Sequence, residues 1–149
     1  GSRSMAARAS QRLVEIADAL PLATGMRIIE IGCGTGVLTR LIAERLSGEC
    51  FILGIDRSAK AVDAARASLA AFAFPGALSF RQASAEKFAP DKGEDPFDLA
   101  VAIRVGALDG RHPEAGEQAL KRIAAALAPH GRLLIDGGNP LKELALPLA

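Results

Sequence analysis

Apolar positions along the chain follow two alternating periods. Between Ala6 and Leu20, residues Ala9, Leu13, Ile16, Ala17 and Leu20 recur at helical spacing, and Pro21 with Gly25 closes the segment. Ile28, Ile29 and Ile31 are β-branched and predict a buried strand. Gly32, Gly34 and Gly36 break that strand into a tight turn before a helix from Val37 to Leu46, whose inward face carries Leu38, Leu41, Ile42 and Leu46. Phe51, Ile52, Leu53 and Ile55 predict a second strand ending at Asp56. Ser58 then caps an Ala-rich helix to about Ala73, stopped by Pro75-Gly76. Leu78 to Gln82 reads as a third strand, Pro90 to Pro96 as a surface loop, and Phe97 to Val105 as a fourth strand. Ala115, Ala119, Leu120, Ile123 and Leu127 mark a helix ended by Pro129-His130-Gly131, where His130 belongs to the helix stop. Leu133 to Ile135 is the fifth strand.

Near-continuously apolar strands alternating with helices predict an α/β fold: an open, mainly parallel five-stranded sheet with helices on both faces. Ligands in such sheets bind outside the carboxyl ends of the strands, where the strand order reverses. Gly32 to Gly36, Asp56, Ser84, Arg104 and Gly137 all fall at that edge.

The totals add bounds. At 149 residues the whole chain, 1–149, is expected to be one domain burying roughly 70% of its unfolded surface. Half of the residues are apolar, yet there is no Trp or Tyr, so the core must be built from Ala, Leu, Ile and Val with six Phe. Gly1 to Ser4, ahead of Met5, read as an expression remnant outside the fold. A net charge of +1 supplies no field for extended nucleic-acid binding, and aromatic platforms for stacking bases are few. No apolar run approaches the roughly 20 residues of a membrane span. Cys33 lies in the glycine turn and Cys50 at a strand start, so a disulfide framework is not expected and a reducing, cytoplasmic setting is. No His, Cys or acid spacing suggests a metal site.

A glycine turn after the first strand and an acid at the end of the second serve two site classes, those for dinucleotides and those for S-adenosylmethionine. A dinucleotide fingerprint wants G-x-G-x-x-G, and reading from Gly32 its third glycine is replaced by Val37. What stands instead is G-x-G-x-G preceded by Glu30, an acid awkward beside a pyrophosphate and useful beside a cationic amino-acid moiety. Four stretches in order carry a resemblance: Ile29 to Gly36, Leu53 to Ser58, Phe97 to Val105 and Leu127 to Ile135. The chain resembles a class I S-adenosylmethionine-dependent methyltransferase, from about Thr24 to Gly138.

That resemblance implies a Rossmann-like fold and S-adenosylmethionine as cofactor, with S-adenosylhomocysteine as product. It places the backbone of Gly32, Cys33, Gly34 and Gly36 against the methionine part and Glu30 on its amino group. Asp56 would hold both ribose hydroxyls, since a carboxylate offers two acceptor oxygens to a diol. Arg57 would flank the adenine, Ser84 and Ala85 would meet its edge, and the Ile103 carbonyl would help hold the amino group. Ser84 departs from the acid that many relatives carry there. Beyond Gly138 the family adds a helix and an antiparallel strand pair where this sequence has only Asn139 to Ala149. The fifth strand would then be a bare edge, and the C-terminal tail or a second copy of the chain is expected to cover it.

Methyl transfer is an in-line displacement, so the protein mainly positions the reactants, and a base is needed only where the acceptor starts protonated. Asp109 and His112, in the loop after the fourth strand, are the candidates. Asp109 also suits an Asp-Gly turn, and His112 also suits a solvated loop position. Glu30 and Asp56 are costly acids to bury without a ligand or partner, and Cys33 has no basic neighbour in sequence to activate it. Arg104 fits a pocket residue or an ion-pair partner equally. A small-molecule acceptor is expected. The other readings are a cofactor-binding subunit that needs a partner for activity and, against Val37, an NAD-binding oxidoreductase.

Overall fold

A computed structural model of the chain describes residues 5–108, 110 and 112–147. Its centre is strand β1 (Arg27–Ile31), where Ile28 packs on one side of the sheet and Ile29 and Ile31 on the other. Burial on both faces is why Ile28 and Ile29 are apolar in succession rather than alternating with polar residues, and it makes the buried Glu30 between Ile29 and Ile31 an exception. β1 pairs in parallel with β2 (Phe51–Asp56), Ile29 opposite Leu53, and with β4 (Phe97–Ala102), Ile29 opposite Ala100. β3 (Leu78–Gln82) lies outside β2, and β5 (Leu127–Asp136) lies outside β4.

Helices cover both faces, as the strand composition requires. Ile16, Ala17 and Leu20 at α1 (Met5–Ala19) and just beyond it share one core with Leu38 and Ile42 of α2 (Val37–Arg45) and with Val62 and Ala65 of α3 (Ala59–Ser68). On the opposite face, Ala119, Ile123 and Ala126 of α4 (Pro113–Ala126) pack with Phe88 and Phe97 over Leu53, Ala100 and Leu133. Each fully buried Ile, Leu or Phe contributes about 1.5–3 kcal/mol relative to exposure. Ser58 caps α3 as its position predicts, its hydroxyl accepting from the Ala61 N–H at 3.2 Å. α3 is shorter than expected, because Leu69–Ala71 tightens into a 310 turn.

Two expectations need correction. The sheet has six strands, in the order β3-β2-β1-β4-β5-β6, because β6 (Leu141–Leu144) pairs antiparallel with β5, Leu133 opposite Leu144 and Ile135 opposite Lys142. The terminal antiparallel partner is thus not absent, and of the two proposed coverings for the fifth strand the tail supplies it. Secondly, His130 is no helix cap: α4 ends at Ala126, and the His130 imidazole Nε2 lies 2.7 Å from Asp98 Oδ1.

That contact belongs to a cluster at the N-terminal edge of the sheet. The other Asp98 oxygen accepts the Arg27 backbone N–H at 2.8 Å, and this bond holds the Asp98 carboxyl below its usual range. The Arg27 guanidinium sits over the Phe51 and Phe97 rings, 4.8 and 5.2 Å from their centroids, and donates to the Asp95 carbonyl. Four strands, β1, β2, β4 and β5, are pinned together there.

Candidate functional site

The chain runs outward from β1 to β2 and β3, then returns to β4 beside β1 and continues outward the other way. Strand order therefore reverses between β1 and β4, and the loops leaving those two strands part to form a crevice. Gly32, Gly34 and Gly36 have φ of +72°, +56° and +86°, the left-handed region that L side chains resist. A Cβ on Gly32 would come within 2.9 Å of Val105 in the opposite loop, and one on Gly36 within 2.8 Å of Phe80. Arg104 also adopts φ +60° in the loop after β4, with its N–H bonded to Asp136 Oδ1 at 3.1 Å.

Three cavities meet in this crevice. The first, about 530 Å³, is bounded by Gly32, Asp56, Arg57, Ser84, Ala85 and His112 among others. The second, about 230 Å³, holds Glu30, Cys33, Ile103 and, from α1, Arg12 and Leu13. The third, about 650 Å³, opens between the β4 loop and the β5–β6 edge. Arg104 lines all three, so it is a pocket residue.

Asp56, at the end of β2, is fixed by the turn it faces. One carboxylate oxygen accepts the Gly34 N–H and the other the Ser58 N–H, both at 2.9 Å. Each oxygen keeps a further lone pair for a ligand in the first cavity. Glu30 is 4% exposed and accepts the Thr39 hydroxyl at 2.6 Å. Burial pushes its carboxyl up to about 7, opposed by the Thr39 bond and reinforced by the Asp56 charge. The Cys33 thiol is pushed up to about 12, first by burial and then by Glu30 and Asp56, so it is no nucleophile.

The structure thus brings together Glu30, Gly32, Cys33 and Ile103 on one side and Asp56, Arg57, Ser84 and Ala85 on the other. Arg57 is exposed and lies 3.9 Å from Glu86. Gly34 and Gly36 shape the turn but line none of the three cavities. His112 precedes Pro113 at the start of α4, exposed on the rim of the first cavity. Asp109 lies outside the described residues. Sequence reasoning missed Thr39, Arg12 and Lys142; only Thr39 carried a signal, a hydroxyl three residues after the last turn glycine on the face towards the sheet.

A family model described as "Methyltransferase domain" matches residues 22–147. The chain belongs to the methyltransferase domain family. Among relatives of this methyltransferase domain, trans-aconitate 2-methyltransferase of Paracidovorax citrulli is 36% identical over 82% of the chain and 42% of its own length. Protein-L-isoaspartate O-methyltransferase of Methylorubrum extorquens is 36% identical over 88% of the chain and 50% of its own length. The domain therefore spans about half the length of these curated relatives. A solved S-adenosylmethionine-dependent methyltransferase from Thiobacillus denitrificans, in complex with S-adenosyl-L-homocysteine, shares the fold: TM-score 0.67, 22% identity, 84% of this chain and 47% of that one.

Proposed function

We propose that this domain binds S-adenosylmethionine across the first two cavities and positions it for in-line methyl transfer to a small-molecule acceptor. The observation that carries this reading is the pair of carboxylates flanking the glycine turn, Asp56 fixed by backbone N–H groups and Glu30 buried with one hydroxyl partner. A diol suits the first, and a cationic amino group suits the second. The donor set fits the group: Asp56 would hold the ribose, Glu30 with the Ile103 carbonyl the ammonium, and Ser84 and Ala85 the adenine edge, with Arg57 flanking. The Gly32 backbone, lacking a Cβ, allows close approach between these halves.

When bound, S-adenosylmethionine supplies a methyl carbon whose bond to the sulfonium sulfur breaks, its electron pair passing to sulfur, as an acceptor lone pair forms the new bond. The residues of this chain orient the two reactants and exclude water. His112 lines the rim of the first cavity, and the proton of an acceptor that starts protonated is assigned to it as part of this proposal. Family membership and the relatives' names support methyl transfer over an oxidoreductase reading.

Thermal unfolding with S-adenosylmethionine, S-adenosylhomocysteine and NAD tests the reading. The first two should raise the melting temperature, because a ligand of the folded state stabilises it by mass action. Stabilisation by NAD alone would overturn it.

A further inference from the structure

The third cavity takes no part in the cofactor reading, and its wall has a distinct charge pattern. Arg104, Asp136 and Lys142 line it beside apolar Val105, Leu108 and Ile135. The Asp136 carboxylate is already engaged, one oxygen by the Arg104 N–H at 3.1 Å and the other by the Arg12 guanidinium at 3.8 Å. Lys142 reaches the cavity because β6 pairs with β5 and sets it opposite Ile135. Its side chain runs past Gly137, with Nζ 3.9 Å from where a Cβ on that glycine would stand. Arg104 stands at the junction with the two cofactor cavities. Among the described residues, two cations therefore border an apolar floor whose one acid, Asp136, is compensated by a backbone N–H and an ion pair within the fold.

We propose that this cavity is the acceptor subsite and takes a carboxylic acid, its carboxylate between Arg104 and Lys142 and its apolar body on Val105, Leu108 and Ile135. The proposal rests on the methyl-transfer reading above. A carboxylate is ionised at neutral pH, so its oxygen lone pair is available without removal of a proton. The relatives named for trans-aconitate and for protein isoaspartate act, by those names, on molecules that carry carboxyl groups.

The test is calorimetric titration of the full chain, saturated with S-adenosylhomocysteine, with succinate, benzoate and trans-aconitate, each beside its neutral amide. At least one acid is expected to bind where its amide does not. Lys142 is exposed on β6, so its replacement leaves the core untouched. Lys142→Gln should weaken binding of the acid about tenfold, and Lys142→Arg should restore most of it. Binding of S-adenosylhomocysteine with no preference for any acid over its amide, or with a preference that survives Lys142→Gln, would overturn the carboxylate subsite and leave the cofactor reading standing. Failure of the wild-type chain to bind S-adenosylhomocysteine would remove both.

Discussion

At the edge where β1, β2 and β4 begin, two phenylalanine rings close over Arg27, and Asp98 ties β1 to His130 of β5. At the edge where the same strands end, left-handed glycines and the left-handed Arg104 hold the loops apart, and Glu30 and Asp56 are among the acids that face the space between them. One set of strands thus has a sealed end and an open end. At the sealed end Asp98 is held by the Arg27 N–H and by His130. The Arg27 guanidinium is held by the Asp95 carbonyl and two aromatic faces, although its Nε has no hydrogen-bond partner. At the open end a carboxylate is buried with a single hydroxyl for company, a placement that costs stability unless a ligand arrives. The difference separates residues that hold the fold from residues kept for binding.

The comparison can be broken by mutation, and the largest effect is expected at the sealed end. Phe97 is fully buried, and Phe97→Ala should cost about 3–5 kcal/mol of stability in a denaturant titration. The folded fraction should still bind S-adenosylhomocysteine with unchanged affinity. A loss of affinity in the folded protein would show that the two ends are coupled.

At the open end the signs reverse. Asp56→Ala should weaken S-adenosylhomocysteine binding by at least about 1.5 kcal/mol, through loss of charge-assisted hydrogen bonds, in a calorimetric titration. Its stability cost should be the smaller of the two, since Asp56 holds a turn rather than a core. Unchanged affinity would refute the ribose assignment.

A smaller, pH-dependent effect sharpens the contrast. The Glu30 carboxyl is raised from 4.5 to about 7 by burial, so the folded state holds its proton where the unfolded chain has lost it. The stability this contributes is fully present below about 4.5 and is lost as pH rises to about 7. Binding of a cationic ammonium favours the ionised form, so S-adenosylmethionine affinity should fall several-fold between pH 7.5 and 6. Glu30→Gln should flatten both profiles in that window, read by thermal unfolding and by titration across pH.

The open end was the legible one. Glycines that only a turn needs, an acid two residues before them and another at the next strand end are local signals, and they placed Glu30, Gly32 and Asp56 from spacing alone. The sealed end was not legible, because Arg27, Phe51, Phe97 and His130 are brought together by strand register, which no local pattern encodes. β6 escaped for a related reason. Leu-Lys-Glu-Leu at 141–144 follows a Gly-Gly-Asn-Pro break, and its four residues are held by the ladder to β5 rather than by an apolar face of their own. Lys142 was therefore invisible as a cavity residue, whereas Arg104 sat in sequence directly after a buried strand.

The most direct test of this division is a crystal structure of the chain grown with S-adenosylhomocysteine. The account predicts the ribose on the Asp56 carboxylate and the amino group near Glu30, with the sulfur turned towards the Arg104 junction. A ligand lying at the Arg27 edge, or an Asp56 side chain turned out of the crevice, would contradict it.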